Sequence, residues 1–144
     1  MLVHQILNGK SDEGVITVQP TISSAEVAEL LSPRRIGAVI VSEDGKRPMG
    51  IVSERDIVRE LGRRGSGCLQ DSAKNMMTRD LVTCERNDTA DAVLKKMTDG
   101  RFRHMPVMEN DEMVGLISIG DVVKARLSEL SMEAEALQGM IMGH

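Results

Sequence analysis

Gly50-Ile51-Val52-Ser53-Glu54-Arg55-Asp56-Ile57-Val58 and Gly115-Leu116-Ile117-Ser118-Ile119-Gly120-Asp121-Val122-Val123 are one pattern written twice: glycine, two apolar residues, serine, two variable residues, aspartate, two apolar residues. Each copy opens as an aliphatic strand and closes on an apolar pair that starts a helix, so its serine and aspartate fall at a strand-to-helix corner. A serine and an aspartate three apart cap such a helix, and the outward N–H groups of its first turn suit a phosphate or a ribose. For a single copy the plainer reading is an ordinary cap with a dipole partner. Duplication is what points to function at the corner.

Working outward, Thr17 pairs with Thr83 and Ile36 with Phe102 at a shift of 66, whereas Gly50 pairs with Gly115 and Asp56 with Asp121 at a shift of 65. The lost residue lies in a turn, where Glu43-Asp44-Gly45-Lys46-Arg47-Pro48-Met49 matches Glu109-Asn110-Asp111-Glu112-Met113-Val114. A hairpin-like connection tolerates that change of length. Each half therefore reads strand, helix, strand, turn, strand, helix.

Composition bounds the answer. A chain of 144 residues makes one compact domain or two small interlocked modules, and a globule of that size buries roughly 68–70% of its unfolded surface. Phe102 is the only aromatic residue, so the core is expected from Val, Ile, Leu, Ala and the 11 Met; a Met-rich core is preferred to a Met-lined ligand surface. The net charge of −4 argues against nucleic acid as a general partner. Met1-Leu2-Val3-His4-Gln5-Ile6-Leu7 is too short and mixed for a signal peptide, and no apolar run approaches the roughly 18 residues of a membrane span. A soluble, cytoplasmic protein is expected. Cys68 and Cys84 lack metal-ligand spacing and read as reduced thiols, the first in a polar linker and the second in a strand.

In chain order, Val3, Ile6 and Leu7 predict a short helix ending in the polar turn Asn8–Gly14. Val15–Val18 is a strand stopped by Pro20. Ser23 or Ser24 caps a helix through Ala25, Val27, Ala28, Leu30 and Leu31, closed by Pro33 and Arg34-Arg35. Ile36–Val41 is a nearly continuous apolar run, predicted as a central strand covered on both faces. After strand Met49–Ser53 comes a helix from about Asp56 to Leu61, and then Gly62-Arg63-Arg64-Gly65-Ser66-Gly67, predicted to end the helix and begin a flexible, positively charged linker. Arg59, Arg63 and Arg64 there either meet an anion or sit as a solvated helix end. Ser72–Met77 predicts a short helix, Leu81–Cys84 a strand, and Asp88 or Thr89 the cap of a helix through Val93, Leu94 and Met97.

The strand Arg101–Met108 is the unusual one, because Arg103-His104 replaces the Gly37-Ala38 of the first half. Cationic groups at a half-buried position require partners. Either Arg101, Arg103 and His104 face a cleft and receive a phosphate, or they pair with carboxylates such as Asp121 and Glu109, or the strand start is exposed. The first reading is preferred for the cluster.

These residues carry a family resemblance. The duplicated pattern, with Thr17 and Thr83, Ile36–Val41 and Phe102-Arg103-His104-Met105-Pro106-Val107, and the two Ser-x-x-Asp corners, resembles a pair of cystathionine-β-synthase (CBS) domains, a Bateman module. It covers residues 1 to about 127. The resemblance implies an α/β (α+β) fold of two pseudo-symmetric β-α-β-β-α repeats packed sheet to sheet, with clefts between them that bind adenine nucleotides such as AMP, ADP, ATP or NAD(H). It assigns ribose hydroxyls to Asp56 and Asp121, ribose or phosphate contacts to Ser53 and Ser118, the base border to Thr17 and Thr83, and phosphate to Arg101, Arg103 and His104. Ile36, Arg55 and Pro106 complete the expected nucleotide-binding set. The first repeat lacks the basic pair unless Arg35 or Arg55 supplies it, so one strong and one weaker site are expected.

The organisation follows: residues 1–67 as the first repeat with its N-terminal helix, 68–127 as the second, and 128–144 as an amphipathic tail. Leu127, Leu130, Ala134, Leu137 and Ile141 recur at spacings of three or four until Gly139 or Gly143 loosens the helix. That stripe either reinforces a homodimer of the kind the family forms, docks on an unknown client protein, or packs back on its own module. The favoured function is a stand-alone regulatory module that binds an adenosine-containing small molecule and passes a change of shape to a partner; the alternative is a structural dimerisation module without ligand response. An enzyme is disfavoured, since none of the three His or two Cys lies in a catalytic signature.

Overall fold

The computed structural model describes residues 1–10, 15–34 and 36–141. Arg35, the end of the polar turn at 11–14, and Gly143 lie outside the described residues. The elements are α1 (Val3–Asn8), β1 (Thr17–Val18), α2 (Ser24–Arg34), β2 (Ala38–Val41), β3 (Gly50–Ser53), α3 (Glu54–Arg64), α4 (Ala73–Met76), β4 (Cys84–Glu85), α5 (Ala90–Gly100), β5 (His104–Glu109), β6 (Glu112–Ser118) and α6 (Ile119–Ile141). The order β-α-β-β-α thus occurs twice, in a mixed α+β fold with two three-stranded sheets, β1-β2-β3 and β4-β5-β6.

In each sheet the apolar run takes the middle place. All four residues of β2 are buried, because it is flanked by strands and covered on both faces. It runs parallel to β1, with Thr17 opposite Ile40, and antiparallel to β3, with Ala38 opposite Ser53. The parallel step needs a crossover, which α2 supplies. β1 is shorter than the expected Val15–Val18, yet Ile16 O still accepts from Ile40 N at 3.0 Å, a boundary difference rather than a missing strand. Ser23 Oγ accepts from Glu26 N at 3.1 Å and caps α2, which includes Pro33 in its last turn.

The turns show where the odd residue went. Asn110 and Asp111 both take left-handed φ, 51° and 64°, the two-residue type I′ connection that closes a tight hairpin. The longer first-half turn is organised by Asp44, whose Oδ1 accepts from Lys46 N at 2.8 Å, Arg47 N at 2.9 Å and Ser42 Oγ at 3.0 Å.

Three expectations are corrected. Residues 62–67 are no flexible linker: α3 runs to Arg64, and Gly65–Gln70 forms a 3₁₀ helix. Cys68 is fully buried there, and the Arg64 guanidinium bonds Glu60 at 2.8 Å and Asp71 at 2.6 Å, tying both ends of the segment. The second-half strand is not Leu81–Cys84 but Cys84–Glu85, since Leu81 N turns back to Arg79 O at 2.9 Å. Arg101 does not begin β5; with φ 58° it is the left-handed C-cap of α5, its N–H bonding Met97 O.

The chain divides into two compact units that are not its two halves. One comprises Met1–Asp12, Thr83–Val107 and Gly115–His144; the other Glu13–Val82 and Met108–Val114. Thus α1 packs with the second repeat and α4 with the first. Val3 and Ile6 join a core of Val93, Met97, Met105, Val107, Ile117 and Val122. Ala73 and Met76 join the core of Val27, Leu31, Val39, Val41, Val52 and Ile57. Backbone bridges repeat the correspondence, Leu2 with Thr89 and Ser72 with Ser23. Valine is the commonest residue of both cores; among the described residues only Met76, Met97 and Met105 of the methionines are buried in them, so the expected Met-rich core is not found there.

Candidate functional site

The two corners have the same construction. Strand β3 delivers Ser53 in extended backbone, and its Oγ accepts from Asp56 N at 3.2 Å while Asp56 Oδ2 accepts from Ser53 N at 2.9 Å and Ser53 Oγ at 3.0 Å. This reciprocal box satisfies first-turn N–H groups and places a carboxylate at the positive end of α3. In the second repeat Ser118 Oγ accepts from Asp121 N at 3.1 Å, and Asp121 Oδ2 from Ser118 N at 2.9 Å. The middle strand also approaches alike: Gly37 O accepts from Glu54 N at 2.9 Å, and Arg103 O from Ile119 N at 2.8 Å. Ile36-Gly37 and Arg103 therefore adjoin their own corners through main chain.

The corners differ in the cation each carboxylate holds. Asp56, 6% exposed, is paired through Oδ1 with Arg59 on its own helix at 3.0 Å. Asp121 is paired with Lys10, which follows α1: Nζ lies 2.9 Å from Oδ2 and donates to Leu116 O, also at 2.9 Å. Burial pushes the Asp121 carboxyl up, but the bonds from Lys10 and from Ser118 outweigh it and hold the group below the usual carboxylate range. Each carboxylate keeps further acceptor sites, so hydroxyl donors can share it with the cation.

The remaining predicted residues fall into two sets. Arg55, Thr83, Arg101 and Arg103 are exposed; Thr17, Ile36 and His104 are half-buried; Pro106 is buried in β5. Thr17 borders an open hollow with Ile22, Leu30, Glu26 and Glu29, whose acidic rim does not suit a phosphate. Sequence reasoning missed Lys10, and it read Arg59 as meeting an anion or as a solvated helix end without naming Asp56 as its partner, although the two lie one turn apart at a spacing that pairs helix charges. Among the described residues no group of three or more His, Cys, Asp or Glu is arranged to hold a metal ion, and no helix is long and apolar enough to cross a membrane.

Two such corners on twin β-α-β-β-α repeats define a class, and comparison with known proteins agrees. The CBS-domain family model matches residues 11–63 and 73–128; the chain belongs to the CBS-domain family, as a CBS pair. The CBS-domain containing protein ATU1752 of Agrobacterium tumefaciens has a similar structure, with TM-score 0.82, 45% identity, and coverage of 88% of this chain and 99% of that one. The CBS domain protein PAE2072 of Pyrobaculum aerophilum, solved in complex with AMP, gives TM-score 0.76 and 28% identity over 92% of this chain and 99% of that one. The mitochondrial CBS domain-containing protein CBSX3 of Arabidopsis thaliana is 31% identical over 142 residues, 94% of this chain and 68% of that protein.

Proposed function

We propose that the chain is a regulatory CBS pair that binds an adenosine-containing ligand at its Ser-x-x-Asp corners and passes the binding on to a client protein. The observation that carries this is the duplicated, reciprocally bonded corner, Ser53 with Asp56 and Ser118 with Asp121; the AMP complex of the Pyrobaculum relative supports the ligand class. Asp121 takes the ribose hydroxyls at the better site, with Ser118 beside it and Arg101, Arg103 and His104 supplying phosphate contacts. Asp56 and Ser53, with Ile36 and Arg55, form the poorer one; Thr17, Thr83 and Pro106 border the bases. AMP, ADP, ATP and NAD(H) share the chemistry that these groups read. The module works without a catalytic group, as a homodimer, in the cytoplasm.

The test is a thermal-shift screen with AMP, ADP, ATP, NAD, NADH and S-adenosylmethionine, with GTP as the control, followed by calorimetric stoichiometry. A ligand at 100 times its dissociation constant adds about 2.7 kcal/mol of stability. Asp121→Ala abolishes tight binding while the protein stays folded. The competing reading, a structural module, draws on the burial of Asp56 and its bonds to Ser53 and Arg59, which make it a complete cap. On that reading Asp121→Ala costs about 1 kcal/mol, and no nucleotide shifts the melt of ligand-free protein.

A further inference from the structure

Gly115 stands in β6 without a side chain, and a Cβ there would lie 2.9 Å from Leu7 Cδ2. The missing atom lets Leu7 of α1 approach the strand. Val3 and Ile6 hold α1 in the core, and Val3 N and His4 N donate to Asp88 O and Arg86 O at 2.9 and 3.0 Å. The chain turns as α1 ends, with Lys10 N donating to Leu7 O at 3.3 Å, and delivers the Lys10 ammonium to Leu116 O and Asp121 Oδ2, both at 2.9 Å. The cation is thus in place before any ligand arrives.

The first repeat builds the equivalent place differently. Ile51, the counterpart of Leu116, exchanges two main-chain bonds with Thr78, at 3.0 and 2.9 Å, so its carbonyl is satisfied without a side chain. There the cation on Asp56 comes from its own helix, and the Arg59 guanidinium also lies 3.9 Å from Glu60 Oε1. The lysine is therefore a feature of one corner. An ammonium has three N–H donors, of which Leu116 O and Asp121 take two. With the side chain 36% exposed, the third is open to solvent or to a ligand.

Two effects of this charge oppose each other. By drawing on the Asp121 carboxylate it weakens the acceptor that any ribose must use, phosphorylated or not. A ligand with a phosphate on its ribose recovers that loss, because its anion and the ammonium are then gathered around one carboxylate and attract over a short, partly desolvated distance. An uncharged nucleoside recovers nothing. We propose that Lys10 is a specificity-determining residue of the Asp121 corner, selecting phosphorylated adenosine ligands over uncharged ones. This rests on the ribose role given to Asp121 above and adds the residue that discriminates among its ligands.

Calorimetry of the full chain with adenosine and with AMP tests it, in wild type, Lys10→Met and Lys10→Arg, each shown to be folded by its melting curve. Wild type binds AMP the more tightly. Lys10→Met tightens adenosine about threefold and weakens AMP about tenfold, so the gap between them narrows about thirtyfold, whereas Lys10→Arg keeps the wild-type gap. Raising sodium chloride narrows the gap in wild type and moves it less in Lys10→Met. A loss of packing would shift both ligands in the same direction and would not depend on salt. Both ligands moving together in Lys10→Met, or AMP binding unchanged by it, overturns the role of Lys10 while the ribose site stands. Binding of neither ligand to wild type stripped of copurified nucleotide overturns the function proposed above, and this inference with it.

Discussion

Lys10 sets its ammonium 2.9 Å from the Asp121 carboxylate, so a residue beside the N-terminal helix occupies the corner that opens the last helix. An ammonium on Oδ2 draws on the negative charge that makes the rest of the carboxylate a strong acceptor for a ribose hydroxyl. Lys10→Met is expected to tighten binding of adenosine, which carries no phosphate, by about threefold, read by calorimetry. In unliganded protein the same change costs under about 1 kcal/mol, because the Lys10 side chain is 36% exposed and solvent screens the pair.

Acid should act through carboxylates held below their ordinary values, Glu60 beside Arg64 and Glu129 beside the Met1 amine and two aspartates among them. Asp44 is held at about 2 by the backbone N–H groups of Arg47 and Lys46, helped by Ser42, and Asp121 is also held below its ordinary value. Their unfolded values lie near 3.9. Each contributes stability that is fully present above that value and is lost as pH falls through the folded one. Urea midpoints are therefore expected to stay level from about pH 7 to 5 and to drop between about pH 4 and 2. Asp44→Asn should make that drop shallower, and NMR titration of Asp44 should give the low value directly.

The glycines that open the repeated motif should not tolerate alanine equally. A Cβ on Gly50 would lie 2.5 Å from Met77 Sδ and 2.8 Å from Thr78 O, whereas one on Gly115 would meet only the tip of Leu7, at 2.9 and 3.0 Å. A side-chain tip rotates away, but a carbonyl held by the Ile51–Thr78 bridge does not. Gly50→Ala is expected to cost about 2–3 kcal/mol and Gly115→Ala about 1 kcal/mol or less, by chemical denaturation.

Both thiols should be silent in the native protein. Cys68 is fully buried and Cys84 2% exposed; burial, with the nearby Asp88 charge, raises the Cys84 thiol to about 11 against a small opposing pull from Lys96. A chromogenic disulfide reagent should titrate neither at neutral pH and both in denaturant. Rapid native labelling would show that these segments open far more often than their packing implies.

The corners were legible because a cap is local: Ser53 and Asp56, or Ser118 and Asp121, carry their own geometry within one turn. The middle place of β2 was equally plain from the unbroken Ala38–Val41 run. The segment at 65–70 misled because glycine and serine mask the burial of Cys68, and its anchors, Glu60 and Asp71, lie outside it. Arg101 misled because its left-handed cap is a role that glycine or asparagine usually takes. Lys10 was invisible for a different reason: its partner lies over a hundred residues away, and no spacing rule links a lysine in one turn to an aspartate in another. The assignment of α1 to the second repeat had the same cause.

That assignment has a kinetic consequence. Most of the unit built on β1–β3, through Val82, is complete before β4 is reached, but α1 must wait for the 83–107 and 115–141 stretches before its Val3 and Ile6 find a core. Closing so long a loop is entropically slow. In synthesis from the N-terminus α1 therefore emerges well before the core it docks on, and until that core forms it is an exposed apolar segment within reach of chaperones.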